Sequence, residues 1–322
     1  MPLFGRPKRY LGVDIGTASL KVVEIEDIGR RAKLSTYGSI DLPLDIIKSD
    51  AREVIVQISD ALKELIRRAG VTTDRATSAL PGFSVFTTII ELPKMPEKEL
   101  VSAIRYEAEK YIPSPIEETV LDWEVVGETE AEITPKEGEG RKKVLMSRIL
   151  LTAASKSLVS RYTEIFKNAR LDLESLETEA VALVRSLVGQ DTTPLLLIDM
   201  GATATDICLV EDASPRLTRS IDVGGNAITR SIAKSLNIKP ERAEQFKKDF
   251  GLKGGLAEGA LEERVPQAIR AILDDIVKEI RHACNLFYNK GGKRIEKVIL
   301  VGGGAKLTGL SEYLNSLLGV KV

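Results

Sequence analysis

The sequence predicts a duplicated α/β fold: two lobes facing each other across a cleft, with a small α/β subdomain set into the first. Three observations predict it. Residues 11–26 read LGVDIGTASLKVVEIE and residues 196–211 read LLIDMGATATDICLVE. With Asp14 set over Asp199, each gives an apolar run ending in Asp-x-Gly, then a small-residue tract, then a second apolar run closed by glutamate. Each copy also leads past a polar stretch into the same tripeptide, Ser39-Ile40-Asp41 or Ser220-Ile221-Asp222. The period is too long for a solenoid and fits two copies of one unit. Third, VILVGGGAKLTGL (298–310) is a short apolar strand broken by three glycines before a helix with Leu310, Leu314 and Leu317 as its stripe.

In chain order, Leu11, Val13 and Ile15 precede the first turn and Leu20, Val22 and Val23 follow it, a β-turn-β unit. Gly16 has no Cβ to block backbone approach, and Thr17 and Ser19 add hydroxyls. Such a turn can wrap phosphate oxygens with N–H groups. One copy alone reads as a plain hairpin tip; two matched copies, each opened by an aspartate, favour phosphate, with the carboxylates placed for Mg²⁺ or its waters. Asp45 to Ala69 is a helix ended by Gly70. Ala76 to Leu80 and Ser84 to Leu92 are strands around Pro81-Gly82. Pro96 opens a helix to Tyr111, Thr119 to Val126 is a strand, and the Glu-rich Gly127 to Lys143 reads as a mobile loop. Val144 to Ala153 is a strand, Ser155 to Ala169 a helix, Leu171 to Leu176 a strand, and Glu179 to Leu187 a helix. The second half adds helices at Ile228 to Leu236, from Pro240, and at Val265 to Tyr288, with a loop over Gly251 to Gly259.

Composition excludes several function classes. Among 322 residues, 46 are basic and 47 acidic, a formal charge of -1 that gives no field for nucleic acid or anionic membrane. The Arg141-Lys142-Lys143 run reads as a solvated strand entry. One histidine, His282, rules out a two-histidine metal site, and its helix setting reads as structural. Cys208 and Cys284 are apolar-flanked lone thiols, as expected of a reducing compartment. No apolar run approaches the ~18 residues of a membrane span, and MPLFGRPKRY lacks the apolar core of a signal peptide. Chemistry must therefore rest on carboxylates, hydroxyls, backbone amides and Mg²⁺.

Together, the Asp-x-Gly hairpins at 14 and 199 and the triple glycine at 302 resemble the actin, Hsp70 and sugar-kinase superfamily, in order and spacing over almost the whole chain. The predicted class is thus an actin-like ATPase (ribonuclease H-like) fold. Within it, LGVDIGTASLKVVEI (11–25), ALPGFSVFTTIIELPKM (79–95), AIRYEAEKYIPSPIEETVLDWEVV (103–126), DVGGNAITRSIA (222–233) and VILVGGGAKLTGL resemble the PilM family of type IV pilus assembly proteins. The chain is also similar to the FtsA cell-division family.

The resemblance implies ATP and Mg²⁺ as cofactors. Gly16, Thr17, Ser19, Lys21, Gly201 and Thr203 would hold the phosphates, and Asp14 and Asp199 would lie near the metal. Gly224 and Gly225, Glu244 at the ribose, Lys247 at the adenine, and Gly302, Gly303 and Gly304, with Gly303 against the base, complete the set. Ala202 and Ala204 stand where relatives carry hydroxyls, so fewer phosphate contacts are expected there. Glu179 matches a residue near the attacking water in filament-forming relatives; a helix-start glutamate stabilising the dipole is an equal alternative. ATPase activity is expected to be weak or absent.

For partners, the resemblance implies a groove on the inserted subdomain that takes the extended N-terminal cytoplasmic peptide of a PilN-like inner-membrane protein. Val85, Phe86, Ile104, Arg105, Ala108 and Glu109 are its candidate residues, by position. The protein would be cytoplasmic, peripheral at the inner membrane through that partner, coupled to pilus motor ATPases, and open to homo-oligomerisation. The expected division is 8–83 with 154–193 as the first lobe, 84–153 as the insertion, 194–230 with 292–322 as the second lobe, and 231–291 as the adenine side. An FtsA-like factor and a small-molecule kinase are the alternatives. No Asp-rich sugar motif supports the kinase. FtsA's C-terminal amphipathic helix has no counterpart, although relatives run on past the strand that begins at Val320.

Overall fold

A computed structural model describes residues 8–29, 31–42, 51–112, 114–133, 142–253 and 260–322. The parts of the expected 45–69 helix, 127–143 loop and 251–259 loop that lie at 45–50, 134–141 and 254–259 fall outside the described residues. Three sheets organise the chain. In the first, β1 (Lys8–Ile15), β2 (Ser19–Asp27) and β3 (Ala32–Asp41) run antiparallel, while β4 (Arg75–Leu80) and β8 (Asp172–Thr178) join β1 in parallel, giving the order β3-β2-β1-β4-β8. The second repeats the plan with β9 (Leu195–Met200), β10 (Thr205–Glu211), β11 (Ser214–Ile221) and β12 (Lys297–Val301), in the order β11-β10-β9-β12. An isolated parallel bridge, Lys297 to Lys321, takes the place of the β4–β8 pairing.

The duplication holds at the level of register. Asp14 faces Lys21 and Asp199 faces Asp206 across their hairpins. Ser39 faces Lys21 and Ser220 faces Asp206, so the repeated tripeptide occupies one structural place in both halves. This is the actin-like fold.

Alternation along β1 and β2 sends Leu11, Val13, Ile15, Leu20 and Val22 to one face. There they meet α1 (Arg52–Ala69) and α3 (Lys156–Asn168) in a core with Ile58, Leu62, Tyr162 and Phe166. Gly70 (φ 67°) ends α1 as predicted, its N–H returning to the Arg67 carbonyl. Gly38 lets α1 lie close, since a Cβ there would meet Leu65 at 2.9 Å. In the second half α5 (Gly225–Leu236), α6 (Pro240–Phe250), α7 (Ala260–Asn289) and α8 (Leu310–Leu318) cover the equivalent face. The opposite face of that sheet, with Leu195, Leu197, Cys208 and Val210, is covered by Val184 of α4 (Glu179–Leu187) and by Val188. The corresponding face of the first sheet is more open, with Val23 38% and Tyr37 71% exposed.

The third sheet, β5 (Val85–Pro93), β7 (Lys142–Ser155) and β6 (Thr119–Ile133), is antiparallel and carries α2 (Glu97–Ala108) on one face. Two expectations fail here. Residues 127–133 are strand, not loop: Glu128 to Ile133 pair with Ser147 to Lys142. The glutamates fall at every second residue, so a charge-rich tract still obeys the strand period, and Glu130 gains Lys143 at 3.5 Å. Ile104 and Ala108 are 0% exposed, packed with Leu100, Ile149 and Leu151. They hold α2 to the sheet and present nothing to a peptide, a correction to the expected groove. Arg105 and Glu109 are exposed, and Val85 and Phe86 are half-buried. Among the described residues, no helix is long and apolar enough to cross a membrane.

Candidate functional site

The two Asp-x-Gly turns face one cleft of about 920 Å³. Each turn closes alike: Gly16 N–H donates to the Ser19 carbonyl (3.0 Å), Gly201 N–H to the Ala204 carbonyl (2.9 Å). The turns meet where the Thr203 hydroxyl donates to the Thr17 hydroxyl at 3.0 Å. Lys21 Nζ lies 2.8 Å from Asp14, both half-exposed, so an ammonium stands at the cleft. Asp14, Gly16, Thr17, Ser19, Lys21, Asp199, Gly201 and Thr203 all line this space.

The adenine-side candidates converge from the second half. Gly225, Glu244, Lys247, Gly302, Gly303 and Gly304 line the same cleft. Glu244 accepts from the Thr229 hydroxyl at 2.5 Å and from Lys247 at 2.6 Å. Burial alone would raise its carboxyl, but these hydrogen bonds bring it below its usual range. Lys247 also donates to the Gly225 carbonyl (3.1 Å), which fixes α6 against the start of α5. Gly224 stands one layer back: it is not among the lining residues, and a Cβ on it would meet the Gly201 carbonyl at 2.7 Å. Its role is to let Gly225 and Asn226 donate to the Gly201 and Ala202 carbonyls (2.9 and 2.8 Å) and so brace the second turn. Gly302 (φ 82°) is required twice, by its left-handed backbone and by the Met200 carbonyl 2.6 Å from where a Cβ would sit. Beyond Gly303 the space is open.

A group of carboxylates completes the site. The Thr178 hydroxyl caps α4 by accepting from Val181 N–H at 3.2 Å, which places Glu179 in the first turn. Its Oε2 accepts from Gly82 N–H at 2.9 Å. Burial, then the charge of Asp206, pushes the Glu179 carboxyl up to about 8, against the pull of Gly82. Burial pushes Asp206 up to about 6, with Asp199 adding to it and Ser220 opposing. Asp199 is also raised, by burial and then by Asp14. Among the described residues no three of these acids stand close enough to hold a metal by themselves, so a hard divalent cation here would take one or two carboxylates and complete its shell from phosphates and water. The bare backbone at Gly303, next to the Gly302 that packs on Asp199, leaves room for a flat ring.

Asp206 lies in the cleft and is absent from the sequence-predicted set, as are Pro81, Phe83, Asn226 and Lys306. The signal for Asp206 was available: it follows Asp199 by the spacing that separates Lys21 from Asp14. Val85, Phe86, Arg105 and Glu109 lie outside this cleft.

Comparison with known proteins agrees with the geometry. The family model "Type IV pilus assembly protein PilM" matches residues 12–322. A solved PilM-PilN type IV pilus biogenesis complex is similar at 30% identity and a TM-score of 0.77, over 97% of this chain and 86% of that one. MreB5 of Spiroplasma citri, solved bound to AMPPNP, shares the fold at 14% identity and a TM-score of 0.53, over 98% of this chain and 91% of that one. The cell division protein FtsA of Streptococcus pneumoniae is 23% identical over 97% of this chain and 74% of its own length.

Proposed function

The chain belongs to the PilM family of type IV pilus assembly proteins, and on that premise we propose that its cleft holds Mg-ATP as a conformational ligand while the three-stranded layer engages a PilN-like peptide. One observation carries the nucleotide reading: the two matched turns meet through Thr17 and Thr203, 186 residues apart in sequence, over a single cavity. Backbone N–H groups of both turns and the Lys21 ammonium would receive phosphate oxygens. Asp14 and Asp199 would hold the cation or its waters. Glu244 would accept from ribose hydroxyls, and the Lys247 stem would pack on the base above Gly303. A bound Mg²⁺ supplies charge neutralisation between phosphates and carboxylates. The nucleotide held in the solved MreB5 structure, which has the same fold, supports this reading.

Hydrolysis is a separate question. In the ligand-free cleft burial raises the Glu179 carboxyl to about 8, and it can take a proton from water only after losing that proton. Slow turnover is the expected outcome, because that deprotonation precedes activation of the water.

The partner reading rests on the family and on the solved PilM-PilN complex. With Ile104 and Ala108 in the core, the surface left for an extended peptide is Val85, Phe86, Arg105 and Glu109. Backbone pairing plus apolar anchors would bind it. Through such a partner the protein would sit at the cytoplasmic face of the inner membrane and link to the motor.

The nucleotide reading is tested by calorimetry with Mg-ATP. Asp199→Ala is expected to lower affinity by at least about tenfold, from the loss of a charged ligand to the cation. Unchanged affinity overturns the assignment.

A further inference from the structure

Duplication puts opposite charges in one structural place. Seven residues after each aspartate stand Lys21 and Asp206, each facing its own aspartate and its own repeated serine. Lys21 neutralises Asp14. Asp206 cannot neutralise Asp199, and its carboxylate reaches another neighbour, Gly82. A methyl group on Gly82 would run into that carboxylate, with Asp206 Cγ 2.9 Å away. Gly82 N–H meanwhile donates to Glu179 at 2.9 Å. No positive φ is needed at 82, so its lack of a side chain answers to space alone.

Three parts of the molecule meet at this glycine. Glu179 opens α4, the helix between the two repeats, and Asp206 lies on β10 of the second sheet. Gly82 begins a single helical turn, Gly82–Ser84, that runs directly into β5 at Val85. That turn and β5 both rest against β11. Pro81 and Phe83, on either side, line the cleft. A ligand that moves either carboxylate therefore pushes on the root of the three-stranded layer.

We propose that Gly82, gripped between Asp206 and Glu179, is the positioning residue through which occupancy of the cleft sets the placement of the β5-β7-β6 layer against the second sheet. This rests on the reading that the cleft holds a nucleotide. Gly82 touches no substrate; it acts through the two carboxylates. The inserted layer, where the partner surface lies, thereby responds to the cleft along a route of a few bonds.

Hydrogen exchange on the full chain, with and without Mg-ATP, separates the two readings. In the wild type, Mg-ATP should slow exchange at the turns 14–19 and 199–204, and change exchange in β5, β6 and β7 by at least about fivefold, the low end of ordinary coupling. Gly82→Ala should keep the protection at the turns and lose the response of the layer. Asp206→Asn, which removes charge without adding volume, serves if Gly82→Ala fails to fold; it should cut the layer's response by at least about half of that coupling. Protected turns with an unresponsive layer in the wild type overturn the Gly82 proposal and leave nucleotide binding standing. So does an intact layer response in Gly82→Ala. Unprotected turns in the wild type overturn both.

Discussion

Replacing Glu179 with glutamine should make the ligand-free protein more stable at high pH and leave it unchanged at low pH. The carboxyl is raised from 4.5 to about 8 by burial and by the charges of Asp206, Asp14 and Asp199. For an acid raised on folding, the stability is fully present below the unfolded value and is lost as pH climbs through the folded one. Each pKa unit is worth ~1.4 kcal/mol, so the 3.5 units between those values set a ceiling of about 5 kcal/mol. The side chain retains some exposure, and about 2–4 kcal/mol is the working expectation. Glutamine stays neutral and still offers an oxygen to Gly82 N–H, so hydrogen bond and shape are kept. Urea denaturation at pH 5 and pH 8.5, free of Mg²⁺ and nucleotide, reads the difference. Wild type and variant should lie within about 1 kcal/mol of each other at pH 5, just above the unfolded value, and the variant should lead clearly at pH 8.5. A smaller fall through pH 6, from Asp206, persists in both. Parallel curves across the whole range would refute the assignment of Glu179 as a buried, proton-bearing acid.

Two further outcomes concern the scaffold. Glu24 is fully buried, and its carboxylate accepts from Thr72 N–H (2.5 Å), Thr73 N–H (3.2 Å) and the Ser35 hydroxyl (2.9 Å). Burial pushes this acid up, but the hydrogen bonds prevail and hold it low; its contribution is therefore lost as pH falls through the lowered value. Glu24→Gln should cost about 2–4 kcal/mol at pH 7 by denaturant titration and flatten the acid limb of the stability curve. Ile104→Asp should unfold the α2 layer, at about 3–5 kcal/mol, whereas the exposed Arg105→Glu should leave thermal stability within a few degrees. Equal stability of both variants would contradict the placement of Ile104 in the core.

The hairpins were legible because a repeated pattern specifies a fold twice, and register confirms it: Ser39 and Ser220 oppose residues at one spacing from Asp14 and Asp199. The helix limits were equally local, with Gly70 ending α1 and α4 starting at Glu179. Legibility stopped where residues serve packing beyond their own segment. In AIRYEAEKYIP, Ile104 and Ala108 share a helical face with Leu100, a core spacing, whereas the family resemblance implied a peptide-binding surface there. The Glu128 to Ile133 tract lacks the apolar content that usually announces a strand, and its pairing comes from the following strand, with Ile133 opposite Lys142 and Glu128 opposite Ser147. The repeat spacing marks Asp206 but nothing in the sequence joins it to Gly82; their contact exists only after both halves have folded against each other.

The most direct measurement is a crystal structure of the full chain grown with AMPPNP and Mg²⁺. The triphosphate should lie between residues 16–19 and 201–203, its metal beside Asp14 and Asp199 and its base against Gly303. A nucleotide bound elsewhere, or none at saturating concentration, would contradict the account.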